Sequence, residues 1–244
     1  MIKVIEELSL NSWPSLQTML YDGWTLRFAN GFTKRSNSVN PLFYSTLNTG
    51  EKIQYCEEIY QRRGLDVVFK ITPSVHPENL DQILELKGYI FDSHTSVQVL
   101  ELADSDISPT QIAVLSNTLS KKGLLSFCQL TGIKNQNKSA LKKILNNIVT
   151  EKCFASIGEQ DHVISCGLAV LQDKYVGLYD IVTNINFRNR GFGREIVLNL
   201  LDWSKNKGAE NAYLHVMLDN KPALKLYSKL GFKEIYTYWY RIKR

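Results

Sequence analysis

Apolar and polar positions follow a strand, helix, strand, helix, strand order over the last third of the chain. Val176–Val182 is an apolar run typical of a buried strand, and Glu195–Lys207 has apolar residues at helical spacing. Asn211–Met217 alternates between apolar and polar residues, which predicts a second strand. A short helix is expected over 219–231, and the aromatic-rich run Phe232–Arg241 predicts the final strand.

The short helix over 219–231 has signals at both of its ends. Asp219 or Asn220 is suited to cap its start, because a short polar side chain accepts hydrogen bonds from the first unpaired amides. Pro222 fits the first turn, and Gly231 fits the left-handed position that ends many helices. These signals place a helix between two strands of the same sheet.

The region before residue 176 predicts the first elements of the same module. Its polar stretches alternate with apolar runs of strand length and with runs at helical spacing. We expect helices over Thr110–Lys122 and Lys138–Asn147, and strands over Lys152–Gly158, His162–Leu171 and Tyr175–Val182.

The stretch Phe187–Arg194, with the sequence FRNRGFGR, joins the predicted strand to the predicted helix. Two glycines one residue apart allow a tight turn and close approach of a ligand. The amides that open the following helix attract phosphate, and three arginines add full charges. The stretch lacks the lysine of a P-loop and the third glycine of a dinucleotide fingerprint. It predicts a pyrophosphate-binding turn.

Two motifs in this order resemble the GNAT (Gcn5-related N-acetyltransferase) superfamily. They are Arg188-x-x-Gly191-x-Gly193 and Asn220-x-x-Ala223-x-x-x-Tyr227-x-x-x-Gly231-Phe232. The resemblance covers about Pro109 to Arg244 and implies a mixed α/β fold, with a mostly antiparallel sheet flanked by helices. It also implies acetyl-CoA as co-substrate and transfer of the acetyl group to a primary amine, on a small molecule or a protein N-terminus.

The resemblance implies where acetyl-CoA would lie. The pantetheine arm would pair with the strand that carries Ile181, Val182 and Thr183, and Asn220 and Ala223 would complete this part of the site. The phosphates would lie on the amides and side chains of the turn, which are Arg188, Asn189, Arg190, Gly191, Phe192, Gly193 and Arg194. Asn220 also suits a purely structural helix cap.

Three residues are candidates for proton transfer. By the resemblance, Tyr227 protonates the leaving sulfur, since a phenol stays protonated at neutral pH; a core tyrosine is the alternative. His215 would lie on the cleft side of its strand and could accept the amine proton, or it could be a hydrogen-bonded structural histidine. Asp180 is the alternative base, or it faces solvent or binds a cationic substrate. Removal of the amine proton through a chain of water molecules, without a dedicated base, is a further alternative.

The first half looks like a worn copy of the second. Glu51–Gly64 aligns with Glu195–Gly208, and Gly88-Tyr89 aligns with Gly231-Phe232. The segment Ser45–Gly50 has no arginine and Leu84 aligns with Tyr227, so this half is expected to lack an acetyl-CoA site. We expect two tandem GNAT-like modules, residues 1–104 and 105–244, with a polar linker over 103–109.

A segment of the first half, Asp22–Pro41, resembles one found in bacterial two-module GNAT proteins. Its alternating residues and Gly31 predict a β-hairpin. Arg27, Arg35, Asn37 and Ser38 could form one polar cluster. Either the cluster joins the hairpin to the other module by ordinary hydrogen bonds, or it shapes the acceptor pocket.

Length and composition fit this interpretation. A chain of 244 residues with 44% hydrophobic residues can build two small modules. The sequence contains no run of eighteen apolar residues, so no membrane span is expected. The four widely spaced cysteines suggest reduced thiols and a cytoplasmic protein, without a metal site. The net charge of +5 is modest, and beyond the phosphate turn no basic stripe with interleaved aromatic residues indicates nucleic-acid binding. A CoA-binding regulatory module without turnover is the alternative function, and a homodimer remains open.

Overall fold

The computed structural model describes residues 1–103, 105–110, 112–159 and 162–244. Asp104, which carries the predicted module boundary, and Gln111, in the first predicted helix of the second module, lie outside the described residues. The described helices are α1 Ile2–Ser12, α2 Thr49–Gln61, α3 Leu80–Leu86, α4 Lys121–Thr131, α5 Lys138–Asn146, α6 Phe192–Asn206 and α7 Lys221–Lys229. The described strands are β1 Gln17–Tyr21, β2 Trp24–Phe28, β3 Val39–Asn40, β4 Val67–Ile71, β5 Ile90–Glu101, β6 Val114–Ser116, β7 Glu151–Glu159, β8 His162–Gln172, β9 Tyr175–Thr183, β10 Asn211–Met217 and β11 Lys233–Lys243.

All the described strands belong to one continuous sheet. Its order is β1-β2-β3-β4-β11-β5-β10-β9-β8-β7-β6. Neighbouring strands are antiparallel except for β3 with β4 and β9 with β10, which are parallel. Helices pack against this sheet, so the predicted fold class, a mixed and mostly antiparallel sheet flanked by helices, is confirmed.

The last strands of the two halves change places in the sheet. β11 lies between β4 and β5, and β5 lies between β11 and β10. The aligned elements of the repeat therefore meet at the centre of the sheet, where β5 and β11 run antiparallel to each other. The division into modules at 104/105 stays a prediction, because each half uses a strand of the other.

Strong local signals gave accurate boundaries. β10 spans the predicted Asn211–Met217, and the side chain of Asn220 caps α7 by accepting a hydrogen bond from the amide of Ala223 at 3.3 Å. Gly231 adopts the left-handed conformation with φ +90°. α6 begins at Phe192, earlier than predicted, so the second glycine of the turn is already helical.

One prediction for local structure was wrong, and a second was confirmed only in part. The helix expected over Thr110–Lys122 is replaced by edge strand β6, which pairs with β7, and α4 begins only at Lys121. The Ser120 hydroxyl caps α4 by accepting from the amide of Gly123 at 3.0 Å, because a serine side chain competes for backbone amides and favours a helix start over a helix interior. The hairpin expected over 22–41 is also much reduced. β3 has two residues, and a 3-10 turn over Lys34–Ser36 fills the rest.

Helix α1 anchors the centre of the sheet from one face. Its Glu6 is fully buried, accepts a hydrogen bond from the Tyr236 hydroxyl at 2.7 Å and pairs with Lys70 of β4 at 2.5 Å. The Ser12 hydroxyl lies 3.1 Å from that of Tyr213 on β10. A buried charge is tolerated only when it is paired, so these contacts fix α1 beneath strands of both halves.

Candidate active site

A gap opens between β9 and β10 at the middle of the sheet. The two strands pair in parallel from Tyr175 with Asn211 as far as Leu178 with Leu214, and their pairing stops there. On the other side of β9, the register with β8 shifts by one residue between Cys166 and Leu168, so β9 contains a bulge. The bulge separates β9 from β10 and leaves one backbone edge of residues 179–183 without a partner strand.

Asp180 lies in the bulge and has φ +48°. Aspartate tolerates this left-handed region better than most residues, and such strain is concentrated at functional sites. Opposite the bulge, a Cβ on Gly167 would lie 2.5 Å from Ile181 Cδ1 and 2.8 Å from Ile196 Cγ2. A side chain at 167 would therefore displace Ile181 and Ile196 from their positions beneath the bulge.

The gap leads into a cleft of about 440 Å³. Of the residues predicted for the site, the cleft brings together Asp180, Ile181, His215, Asn220, Ala223 and Tyr227. Val182, Thr183 and the turn over 188–194 lie outside its lining. The turn lies beside the end of β9 and helix α7, since a Cβ on Gly193 would lie 3.4 Å from Thr183 Oγ1 and 3.7 Å from Leu226 Cδ2.

The glycine turn leaves the start of α6 open. Gly191 is the N-terminal cap with φ +87°, a conformation that favours glycine, and no side chain caps the helix there. The first intrahelical bond runs from the amide of Glu195 to Gly191, so the three amides before it have no intrahelical acceptor. Arg188, Arg190 and Arg194 are exposed around these amides. Together they form a positively charged, donor-rich cradle suited to a phosphate.

The corresponding turn of the first half is closed by the protein itself. The Asn48 side chain accepts hydrogen bonds from the amides of Gly50 and Glu51 at the start of α2. The Asp22 carboxylate accepts from the amides of Thr46 and Leu47 and pairs with Lys52 at 3.0 Å. The Leu47 amide, followed by the Thr46 and Lys52 bonds, holds the pKa of Asp22 well below its usual range. An internal carboxylate thus occupies the donors that a phosphate would need.

Tyr227 lies on α7 at the wall of the cleft and packs against Phe232, with 5.8 Å between ring centroids. Its side chain is buried. Burial raises the pKa of Tyr227 to about 12, and the charge of Asp180 acts in the same direction. The phenol is therefore a hydrogen-bond donor throughout the neutral range.

Asp180 pairs with a residue from the other half of the chain. Its Oδ1 atom lies 3.1 Å from Arg35 Nη2. The guanidinium of Arg35 also lies over the ring of Trp13, 4.5 Å from the centroid, and 5.8 Å from that of Tyr179. Arg35 is consequently held at the cleft by an ion pair and by aromatic contact.

The contacts of His215 define its proton position. Its Nε2 atom lies 2.9 Å from Ser9 Oγ, and the Ser9 hydroxyl donates to the carbonyl of Ile5 at 2.6 Å. Because a serine hydroxyl has one hydrogen, Nε2 must donate and Nδ1 carries the lone pair. Nδ1 is buried and has no hydrogen-bond partner in the described part of the chain. Burial, then the charges of Lys70 and Arg35, lowers the pKa of His215 well below 6.5, so the ring is neutral.

The polar cluster proposed for the first half forms in part, since Arg27 Nη1 donates a hydrogen bond to the carbonyl of Arg35. Arg27 donates to the carbonyls of Leu10 and Trp13, and the side chain of Asn37 bonds backbone groups of its own loop. Arg35 lines the cleft, whereas Arg27, Asn37 and Ser38 do not.

Several residues of the cleft were not predicted as site residues. They are Thr33, Lys34, Ser93, Thr95, Tyr238 and Tyr240. The alternating aromatic residues of β11 place Tyr238 and Tyr240 on one face and are a usable signal. The other four residues belong to the first half and reach the cleft through non-local strand pairing, which a local sequence pattern cannot predict.

The comparisons with known proteins agree with this architecture. The family model described as "Probable histone acetyltransferase Rv0428c C-terminal" matches residues 1–241. The "Uncharacterized N-acetyltransferase YobR" of Bacillus subtilis is 32% identical over 248 residues, and the match spans 100% of this chain and 99% of that protein. Of the helices that the structure describes, none combines the length and apolar character that crossing a membrane requires.

Solved structures show a similar fold over the whole length. A GCN5-related N-acetyltransferase from Kribbella flavida has a TM-score of 0.72 at 12% identity, covering 99% of this chain and 95% of that one. A tandem GNAT protein from the clavulanic acid biosynthesis pathway has a TM-score of 0.65 at 10% identity, covering 98% and 87%. At these identities the likeness concerns the fold.

The environment of His215 predicts a loss of stability in acid. Its folded-state pKa is lowered, so below pH 6.5 the unfolded chain binds a proton that the folded protein excludes. This histidine should therefore reduce the free energy of unfolding as the pH falls from 6.5, by up to ~1.4 kcal/mol per pH unit. His215→Gln, which can still donate to Ser9, should weaken this dependence in urea unfolding between pH 7.5 and 5. His94→Gln removes an exposed histidine and serves as the control. If the free energy of unfolding changed equally with pH in the wild type and in His215→Gln, the assignment would be contradicted.

Proposed function

The chain belongs to the GNAT family of N-acetyltransferases, and from this premise we propose that it transfers an acetyl group from acetyl-CoA to a primary amine in the cleft beside β9 and β10. In this proposal Tyr227 assists the departure of sulfur and Asp180 accepts the amine proton. The observation that carries the proposal is the gap between β9 and β10 beyond Leu178 and Leu214, directly beside the uncapped start of α6.

The residues around the gap fit the parts of acetyl-CoA. The amides at the start of α6, with Arg188, Arg190 and Arg194, offer donors and charge to the pyrophosphate. The unpaired backbone edge at Ile181, Val182 and Thr183 can hydrogen-bond an extended pantetheine arm as a further strand would. Asn220 and Ala223 line the opposite wall. When bound, acetyl-CoA supplies a thioester, which is an activated acyl group.

The transfer forms one bond and breaks another. The neutral amine nitrogen bonds to the thioester carbonyl carbon, the carbon–sulfur bond breaks, and the electron pair leaves with sulfur. Tyr227, with its pKa near 12, donates a hydrogen bond to the charge that develops on sulfur and supplies the proton as the bond breaks. The high pKa makes Tyr227 a weak acid, so the hydrogen bond to sulfur is its main contribution.

Asp180 is better placed than His215 to take the amine proton. The lone pair of His215 is on Nδ1, which is shielded from solvent, and the cations Lys70 and Arg35 disfavour the imidazolium form. Asp180 lines the cleft and is negatively charged when it pairs with Arg35. We therefore assign Asp180 as the proton acceptor and His215 as a neutral wall of the cleft.

Binding of acetyl-CoA at a single site should depend on the turn before α6. Arg190→Ala removes one exposed charge next to the open amides and should raise the Kd for acetyl-CoA about 10-fold, the value of one charge-assisted hydrogen bond. Calorimetry should give one site per chain. Arg62→Ala, at an exposed arginine after α2, is the matched control and should leave the Kd unchanged. Two sites would mean that the first half also binds acetyl-CoA, and an unchanged Kd for Arg190→Ala would contradict the location.

Tyr227→Phe separates binding from chemistry. The ring and its packing against Phe232 remain, so the Kd for acetyl-CoA should stay within a factor of two or so, while kcat should fall about 10²-fold for loss of a proton donor. Calorimetry and a thiol-release assay measure the two quantities. A variant with the wild-type kcat would remove Tyr227 from the mechanism.

Asp180→Asn and His215→Gln distinguish the two candidate bases. Loss of the carboxylate should lower kcat about 10²-fold or more, because general base catalysis contributes on this scale. His215→Gln keeps a donor for Ser9 and should retain most of the rate. Initial rates at pH 7.5 with saturating acetyl-CoA give the comparison, and the reverse ranking would assign the base to His215.

A further inference from the structure

We propose that the acceptor is an α-amino acid, bound with its carboxylate at Arg35 and its amine at Asp180. This inference rests on the proposed function and names its substrate class. It starts from the contact between Arg35 Nη2 and Asp180 Oδ1, at 3.1 Å, which joins two residues 145 positions apart on the wall of the cleft. A charged pair of this kind can be opened by a ligand that offers each partner an opposite charge.

Arg35 is built to hold an anion in one orientation. Its guanidinium lies 4.5 Å from the centroid of Trp13 and 5.8 Å from that of Tyr179, so aromatic rings orient its plane. A guanidinium carries five donors. Within the residues that the structure describes, the bond to Asp180 is the one hydrogen bond its side chain donates. The remaining donors match the two oxygens of a carboxylate.

The charges at and behind the cleft wall favour an acceptor that carries a carboxylate as well as an amine. Arg27 and Lys70 line a small cavity behind the cleft together with Arg35, and all three carry positive charge, whereas Glu6 and Asp180 carry negative charge. Lys70 pairs with Glu6 and Arg35 with Asp180, whereas Arg27 bonds backbone carbonyls. This group of five side chains, of which Arg35 and Asp180 are partly exposed, therefore has an excess of one positive charge. A simple alkylamine would add a second positive charge on entry, but a zwitterion would add none.

The distance between the two charges selects the spacing within the ligand. Because Arg35 and Asp180 touch each other, a ligand that bridges them must carry its amine and its acid close together. An α-amino acid has both groups on one carbon. A peptide N-terminus lacks the carboxylate at that carbon, and a diamine lacks it altogether.

A buried hydroxyl near Arg35 supports the same assignment. The Tyr240 side chain is 3% exposed, lines the same cleft, and its hydroxyl has no hydrogen-bond partner in the described ranges. A buried polar group without a partner is costly, and a ligand carboxylate would accept its hydrogen. The rest of the cleft, with the hydroxyls of Thr33, Ser93 and Thr95, leaves space for the amino acid side chain.

The test uses the full-length protein and compares α-amino acids with analogues in which the α-carboxylate is amidated or absent. Thiol release from acetyl-CoA is measured with each of the common α-amino acids, with the matched amides and decarboxylated amines, and with dipeptides. We expect at least one α-amino acid to be acetylated with a kcat/KM about 10- to 100-fold above its amide and its amine, the factor for a charge-assisted pair. Arg35→Gln should collapse this ratio, mainly through KM, and should leave the acetyl-CoA Kd unchanged. Arg63→Gln, at an exposed arginine bonded to Gln17, should keep the ratio.

Three results would overturn the inference. Amides, amines or dipeptides could be acetylated as well as the acids, the ratio could survive in Arg35→Gln, or no α-amino acid could be a substrate of a protein that binds acetyl-CoA. Failure to bind acetyl-CoA in calorimetry would be a separate result, because it would overturn the proposed function before any acceptor is considered.

Discussion

The gap between β9 and β10 is the constraint on which the site depends. The parallel pairing ends at Leu178 and Leu214, and both strands are then held apart from their outer sides, β9 by β8 and β10 by β5. The extra residue of the bulge and the missing side chain at Gly167 let β9 diverge without losing its bonds to β8. Since β5 belongs to the first half, that half supports the geometry of the gap as well as its own core.

The exchange of the last strands makes the first half an integral part of the sheet. Its strand β5 completes the sheet beside β10, and β11 of the second half pairs with β4 in return. The same half places Arg35 beside Asp180, while its own turn is filled by Asp22 and Asn48. The first half thus combines a turn filled by its own side chains with the contribution of Arg35 to the wall of the cleft.

How well the sequence predicts a feature depends on how far apart in the chain the interacting residues lie. The bounds of β10, the Asn220 cap and the Gly231 conformation rest on signals within a few residues, and the structure has them as predicted. Edge strand β6 was missed because its pairing with β7 is non-local. The surroundings of His215 could not be anticipated either, since its partner Ser9 lies 206 positions away on a helix that no motif marks. Candidate residues were found through motifs, whereas their electrostatic environment required the fold.

The excess positive charge beneath the cleft links the parts of the proposed chemistry. Burial, then the charges of Lys70 and Arg35, lowers the pKa of His215 and keeps it neutral, and the same two effects disfavour the ammonium form of an amine that enters the cleft. An amine in this cleft should lose its proton more readily than in water, which supplies the neutral nucleophile that attack on a thioester needs. A simple amine would meet the excess positive charge as a barrier to binding. An α-amino acid offsets that charge with its carboxylate at Arg35, so Arg35 contributes affinity while Asp180 takes the proton that the amine must lose.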